Sequence, residues 1–362
     1  MSALLSRATW FKTDRSLWLA GLGLTLISAA AMASATATEA PELARRHLVW
    51  IVLGILSAVL TARINYRRWL DLAVPAYVAS VIALIVVLAA GAVRLGATRW
   101  LSVFGVSVQP SEVAKLTSIL MLARYLSGQP RPLPRRALLV SLGLIALPAG
   151  LVFIQPDLGS ASIFGAIWLG MVWVAGMSRR SLLMLVGAAL VALPIGWHGL
   201  KDYQRDRLLV FMNPNADPLG AGYTILQSMI AIGSGQLWGR GWLAGPQNRL
   251  SFLPEHHSDF IFAVIGEEGG FLGCVAVIGL FGWLLNRVVR IGLSTADPQG
   301  QLLATGIFCW VAYQAAVNLG MVIGMLPVVG VPLPWISYGG SSMVTLWLAL
   351  GLLQSIARTD AQ

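Results

Sequence analysis

Glu255, His256, His257, Ser258 and Asp259 stand together directly before a long apolar run, and Glu267 and Glu268 follow inside it. On a helix rising ~1.5 Å per residue, that second pair lies roughly 12 Å further along than Asp259. A carboxylate at such a depth can take a proton as a general base or bind a hard cation through its oxygens. Asp259 also has a structural use, because an acidic side chain before a helix satisfies free N–H groups and the helix dipole. The two readings stand side by side on these residues alone.

Comparable groups recur elsewhere. In Gln109-Pro110-Ser111-Glu112, Pro110 suits a first helical position, and Lys115 falls on the same face as Glu112. A neutral ion pair and a reactive carboxylate are both consistent with that spacing. Asp157 follows Gln155 and Pro156 and opens another apolar run, again as a cap or as a functional acid. Ser337-Tyr338-Gly339-Gly340-Ser341-Ser342 offers backbone N–H groups to an anion, or a plain turn before a helix. His256 and His257 read as orienting residues, since no His or Cys partner at zinc spacing accompanies them.

The elements that must position these residues are membrane helices. Of 362 residues, 57% are hydrophobic and 11% charged, with a mean hydropathy of +0.75, whereas a soluble domain carries about 25% charged residues. Apolar runs long enough to cross a bilayer lie at about 17–37, 47–62, 72–93, 110–126, 137–154, 160–177, 181–197, 259–287, 302–325 and 337–358. The expectation is therefore an all-α polytopic membrane protein of about ten transmembrane helices, one domain over 1–362. A long connection, about 198–258, joins helices 7 and 8. The first run follows a basic N-terminus and contains an Ala-x-Ala pattern like that of a signal peptide; it is read as a retained helix. Cys274 and Cys309 both lie in apolar runs and indicate neither a metal cluster nor a disulfide framework.

The net charge of +10 is distributed as short basic clusters between runs, which is a topology signal rather than a nucleic-acid stripe. Arg7, Lys12 and Arg15, then Arg63, Arg67 and Arg68, then Arg124 to Arg136, Arg179 and Arg180, Arg287 and Arg290, and Arg358 fall on alternate connections. That side is cytoplasmic by the positive-inside rule, with both termini inside. Every polar constellation described above falls on the opposite side. Within the long outer connection, the amphipathic stretch from Tyr223 to Ile232 is expected to lie along the interface. Independent caps do not account for acidic outer ends and non-acidic inner ends, whereas a shared cavity does. Glu112, Asp157 and Asp259 are thus expected to converge and to hold a divalent cation, Mg or Mn, through oxygen, while outer arginines neutralise a phosphate.

Gly-Ala-Thr-Arg-Trp at 96–100, Gln-Pro-Ser-Glu-Val-Ala-Lys at 109–115, Gln-Pro-Asp-Leu-Gly at 155–159, Asn-Pro-Asn-Ala-Asp-Pro at 213–218, Leu-Pro-Glu-His-His-Ser-Asp-Phe-Ile-Phe at 253–262, Gly-Glu-Glu at 266–268 and Ser-Tyr-Gly-Gly-Ser-Ser at 337–342 resemble, in order and position, the SEDS family (shape, elongation, division and sporulation). The resemblance runs from about residue 45 to the end. Tyr203 to Arg207 and Gly239 to Leu253 look more like the elongation branch, typified by RodA, than the division branch, typified by FtsW. Ser258 and Pro246 depart from the family pattern, each standing where Thr is usual; neither change removes a charge.

The resemblance implies a bacterial cytoplasmic-membrane glycosyltransferase that polymerises lipid II into peptidoglycan strands, with Asp259 matching the family's essential Asp. Gln109, Ser111, Glu112, Lys115, Asp157, Arg99, Arg205, Arg207, His257, Ser341 and Ser342 are then expected to support the substrate. It also implies a class B penicillin-binding protein as partner, beside the lipid bilayer and with no nucleic acid. Two alternatives are a flippase for lipid-linked precursors and the division-type paralogue. A flippase calls for charges along a path between both leaflets, whereas the motifs here keep to the outer side.

Overall fold

The computed structural model describes residues 14–37, 40–90, 92–94, 97–103, 106–199, 202–213, 222–250 and 252–360. Asp14 caps α1 (Arg15–Ala35), its carboxylate accepting the Leu17 amide at 3.0 Å. Pro41 opens α2 (Pro41–Arg63), and α3 (Tyr66–Asp71) and α4 (Ala73–Ala90) follow. A small antiparallel sheet of β1 (Ala92–Arg94), β2 (Ala97–Val103) and β3 (Val106–Val108) comes next, with Ala92 opposite Trp100 and Leu101 opposite Val108. The remaining helices are α5 (Pro110–Ser127), α6 (Arg135–Ile154), α7 (Leu158–Val174), α8 (Arg179–Gly199), α9 (Asp202–Met212), α10 (Tyr223–Gly235), α11 (Pro246–Arg249), α12 (Ile261–Ser294), α13 (Pro298–Val322) and α14 (Gly340–Asp360).

Six of these, α1, α2, α6, α12, α13 and α14, are long and apolar enough to cross a membrane. α4, α5, α7 and α8 coincide with the other four expected spans. The chain is a multi-pass helical membrane protein. The sheet amends the all-α expectation: between Gly91, Gly96 and Gly105 the chain alternates Val, Trp, Leu and Thr residues, which favour short paired strands. These runs are too brief to carry a periodic signal.

α5 is the axial helix. It packs against α4, α6, α7, α13 and α14, and is buried almost all round despite carrying Glu112, Lys115 and Arg124. A helix enclosed on all sides needs no apolar stripe, only a partner for each polar group it buries.

The basic connections gather at one end of the bundle. Arg287 pairs with Asp14, whose backbone N–H and carbonyl are both held by Gln354. Arg124 donates to the carbonyls of Leu70 and Asp71, Arg358 to that of Arg63, and Tyr66 and Arg67 to Asp297. The polar motifs gather at the opposite end.

Candidate functional site

The segment 329–342, which follows α13 and runs into the first turn of α14, collects the candidate residues. The first turn of α7 presses against it so closely that a Cβ on Gly159 would stand 2.6 Å from the Val329 carbonyl oxygen. Gly330, at φ 69, has a left-handed conformation that favours glycine, and a Cβ there would lie 3.4 Å from Asp259 Oδ2. Ser337 Oγ donates to the Ser258 carbonyl at 2.6 Å and accepts the Leu333 amide at 2.7 Å. The Tyr338 amide donates to the His257 carbonyl at 3.0 Å. Ser341 Oγ accepts the Gln109 amide at 2.9 Å, tying α14 to the start of α5; Ser342 is buried in the next position.

Asp259 is fixed by its backbone. Asn318 Nδ2 donates to the Asp259 carbonyl at 2.8 Å and to the Val331 carbonyl at 2.7 Å. Three consecutive carbonyls, at 257, 258 and 259, are therefore pinned. Phe260, whose side chain makes no capping bond, occupies the N-cap position of α12, directly after Asp259. A half-buried carboxylate is thus held at the mouth of the bundle by its own backbone.

The other two carboxylates are engaged. Glu112 Oε1 receives Lys115 Nζ at 2.8 Å, with both side chains essentially unexposed. Lys115 also donates to Gln314 Oε1 at 3.1 Å and stands 5.0 Å from the centre of the Trp310 ring. Gln314 in turn donates to the Pro332 carbonyl. Glu112 Oε2 and Ser111 Oγ are buried without a hydrogen-bond partner among the described residues. Asp157 does cap its helix, accepting the Ser160 amide at 3.0 Å, and its second oxygen faces Arg99 at 3.9 Å. Arg99 also donates to the Gln155 and Pro156 carbonyls.

Glu112, Asp157 and Asp259 each have their own surroundings. Among the described residues no group of His, Cys, Asp or Glu has the makings of a metal site. The physical reason is that an ammonium neutralises Glu112, and a helix terminus with a guanidinium occupies Asp157.

His257 stacks edge-on between His256 and Tyr338, at 5.5 and 6.1 Å between ring centres. A cavity of about 440 Å³ lies beside this turn, lined by Ala35, Thr36, Ala40 and Leu43 from the α1–α2 connection and by Leu253 to His257. Its lining ends two residues before Asp259. Arg205 lies on α9; Arg207 is on the same helix, its side chain outside the described residues.

Asn318 and Gln314 escaped the sequence reading. Together with Trp310 they recur every fourth residue along one face of an otherwise apolar span, and a polar stripe inside a membrane helix is itself a signal.

A multi-pass membrane protein with a backbone-anchored carboxylate at one mouth is the class that this fold and site define. The profile of the FtsW/RodA/SpoVE family, described as a cell cycle protein, matches residues 13–362, and the chain belongs to that family. It is 40% identical over 348 residues to the peptidoglycan glycosyltransferase MrdB of Escherichia coli K12, covering 95% of this chain and 93% of the relative. Among solved structures it resembles a chain described under the structural coordination of polymerization and crosslinking by a peptidoglycan synthase complex. That match has a TM-score of 0.84 and 33% identity, covering 97% of this chain and 99% of the other. It also resembles the rod shape determining protein RodA of Thermus thermophilus, with a TM-score of 0.73 and 30% identity over 98% and 99% of the two chains.

Proposed function

We infer that this peptidoglycan glycosyltransferase polymerises lipid II, with Asp259 as general base, at the outer face of the bacterial cytoplasmic membrane during cell elongation. The observation that carries the reading is Asp259 itself, held by three pinned carbonyls with its carboxylate facing Gly330 at the mouth of the bundle. Its carboxylate takes the proton from an acceptor sugar hydroxyl as that oxygen bonds to the donor's anomeric carbon. The bond from that carbon to the diphosphate oxygen breaks, and the polyprenyl diphosphate leaves as an anion needing no proton. Arg205 and Arg207 are assigned to the charge that develops on that diphosphate. Glu112–Lys115 and Arg99–Asp157 are positioning pairs that hold α5 and α7 against the 329–342 segment, alongside Gln109, Ser341 and Ser342. A divalent cation, Mg or Mn, bound through carboxylate oxygens would offset the same charge on the diphosphate.

The basic end of the bundle is assigned to the cytoplasm, with both termini there. We assign a class B penicillin-binding protein as partner, supported by the likeness to a chain of a peptidoglycan synthase complex. The reaction is tested with purified protein in liposomes given lipid II as the only sugar substrate. Glycan strands, with polyprenyl diphosphate released for every linkage, are expected. Movement of lipid II between leaflets without linkage would instead support a flippase and overturn the assignment.

A further inference from the structure

α12 is not one continuous helix, because Gly270 stands at φ 63 and ψ −160 and breaks its hydrogen-bond ladder. The segment after α10 fills that break from both sides. The amides of Phe271 and Leu272 donate to the carbonyls of Gln236 and Leu237 at 2.8 and 3.3 Å. The carbonyls of Glu267 and Glu268 accept the amides of Arg240 and Gly241 at 3.0 and 3.1 Å. The backbones meet where side chains are missing: a Cβ on Gly270 would stand 2.2 Å from the Gly239 nitrogen, and one on Gly235 2.0 Å from the Gly266 oxygen.

The return limb is held by the two buried glutamates. Glu267 accepts the amides of Gln247 and Asn248 at 2.8 and 3.1 Å. Glu268 accepts from Ser34 Oγ at 2.5 Å and from Asn248 Nδ2 at 3.1 Å. Their acids therefore serve this splice rather than the reacting sugars.

The junction is deep. Gly270 to Leu272 lie nine to eleven residues beyond the start of α12 at Ile261, roughly 14–17 Å along it at ~1.5 Å per residue. That is about half of a ~30 Å hydrocarbon core. α10 descends beside α12: Ser228 bonds the Val322 carbonyl at the end of α13, and Gly235 meets Gly266. The expectation of a helix lying flat along the interface gives way to one running inward. Irregular backbone at this depth persists only where protein satisfies its polar groups, and the bonds above do so. The large apolar side chains face outward, with Trp238 77% and Trp242 62% exposed and Leu237 half exposed, beside exposed Gln236 and Arg240. Their surface is continuous with exposed Phe271 and Leu272 of α12.

We propose that residues 223–250 form a re-entrant hairpin that enters the outer leaflet to about mid-bilayer, where Leu237, Trp238 and Trp242 contact phospholipid acyl chains. Depth and continuity with the lipid-facing side of α12 select acyl chains as the occupant. Arg240, whose amide bonds Glu267 six residues into α12, lies close enough to the surface to send its guanidinium up to headgroup phosphates while its stem stays in the apolar layer. The proposal rests on family membership and packing, independently of the role of Asp259.

The test is spin-label accessibility in phosphatidylethanolamine/phosphatidylglycerol nanodiscs, on a full-length background carrying Cys274→Ala and Cys309→Ala. Labels attached through Trp238→Cys, Phe271→Cys and Glu255→Cys are compared for collision with oxygen and with a water-soluble nickel chelate. The label at 238 is expected to match that at 271, favouring oxygen, with the ratio reversed at 255. Nickel access at 238 equal to that at 255 would overturn the proposal, as would low access to both reagents, which marks a polypeptide covering the site. On the otherwise native chain, Trp238→Phe should remove part of the fluorescence quenched by lipids brominated at mid-chain. Unchanged quenching would count against lipid contact.

Discussion

Lys115 has three partners inside the bundle, the Glu112 carboxylate, the Gln314 carbonyl oxygen and the face of Trp310. Removing its charge leaves Glu112 buried and uncompensated, which costs ~3–5 kcal/mol for such pairs. Lys115→Met is accordingly expected to lower the unfolding midpoint sharply, and adding Glu112→Gln to restore part of the loss. A double variant no more stable than the single one would show that the pair does not act as a unit. Asn318 makes a different contribution, since both protons of its amide are spent on the carbonyls of Asp259 and Val331. Asn318→Ala removes two hydrogen bonds at ~0.5–1.5 kcal/mol each. It should reduce polymerisation at least tenfold while substrate binding stays near normal, as expected of a residue that aims Asp259. Equal losses in both would place it in binding instead.

Single contacts also join elements at the basic end, where α3 meets the start of α13. Burial opposes ionisation of Asp297, but the Tyr66 hydroxyl, the Gln299 amide and Arg67 outweigh it and hold the carboxyl below its usual range. Burial and the bond to Asp297 push the Tyr66 hydroxyl up to about 12. A depressed carboxyl contributes stability that is present above its unfolded value of ~3.9 and fades as pH falls through the lower folded one. A raised phenol contributes below ~10 and fades as pH climbs toward its folded value. The stability gap between wild type and Asp297→Asn should thus be widest near neutral pH and close on acidification below ~4. A gap independent of pH would mean that the ionised form is not what joins the two helices. The spans themselves were readable as elements, because apolar runs of sufficient length have few other uses. The sheet was not, since its strands are too brief to carry a periodic signal, nor were the break at Gly270 and the packing of α10 along α12, which depend on partners remote in sequence. Glu267 and Glu268 looked like chemistry for the same reason: their partners, Gln247, Asn248 and Ser34, share no pattern with them.

At the scale of the whole molecule, the ends of the bundle divide the work. Arginines, Asp14 and Asp297 close one end, and the 329–342 segment organises the other around Asp259. Cysteine reporters at Gly128 and Glu255 should therefore label from opposite sides of the membrane, and labelling from one side would break the topology. The positions of the candidate residues were legible in the motifs, but their division of labour was not. Spacing could not tell that Asp157 caps α7 and Glu112 neutralises Lys115, while Asp259 faces the turn at Gly330. The most direct measurement compares wild type and Asp259→Asn, purified to equal monodispersity, for strand length from lipid II as sole sugar donor. Loss of the proton acceptor should slow polymerisation by at least ~10²–10⁴-fold, with unfolding behaviour little changed because the amide keeps the size of the carboxyl and can still accept a hydrogen bond. Strands of near-normal length and rate from the Asn variant would contradict the account.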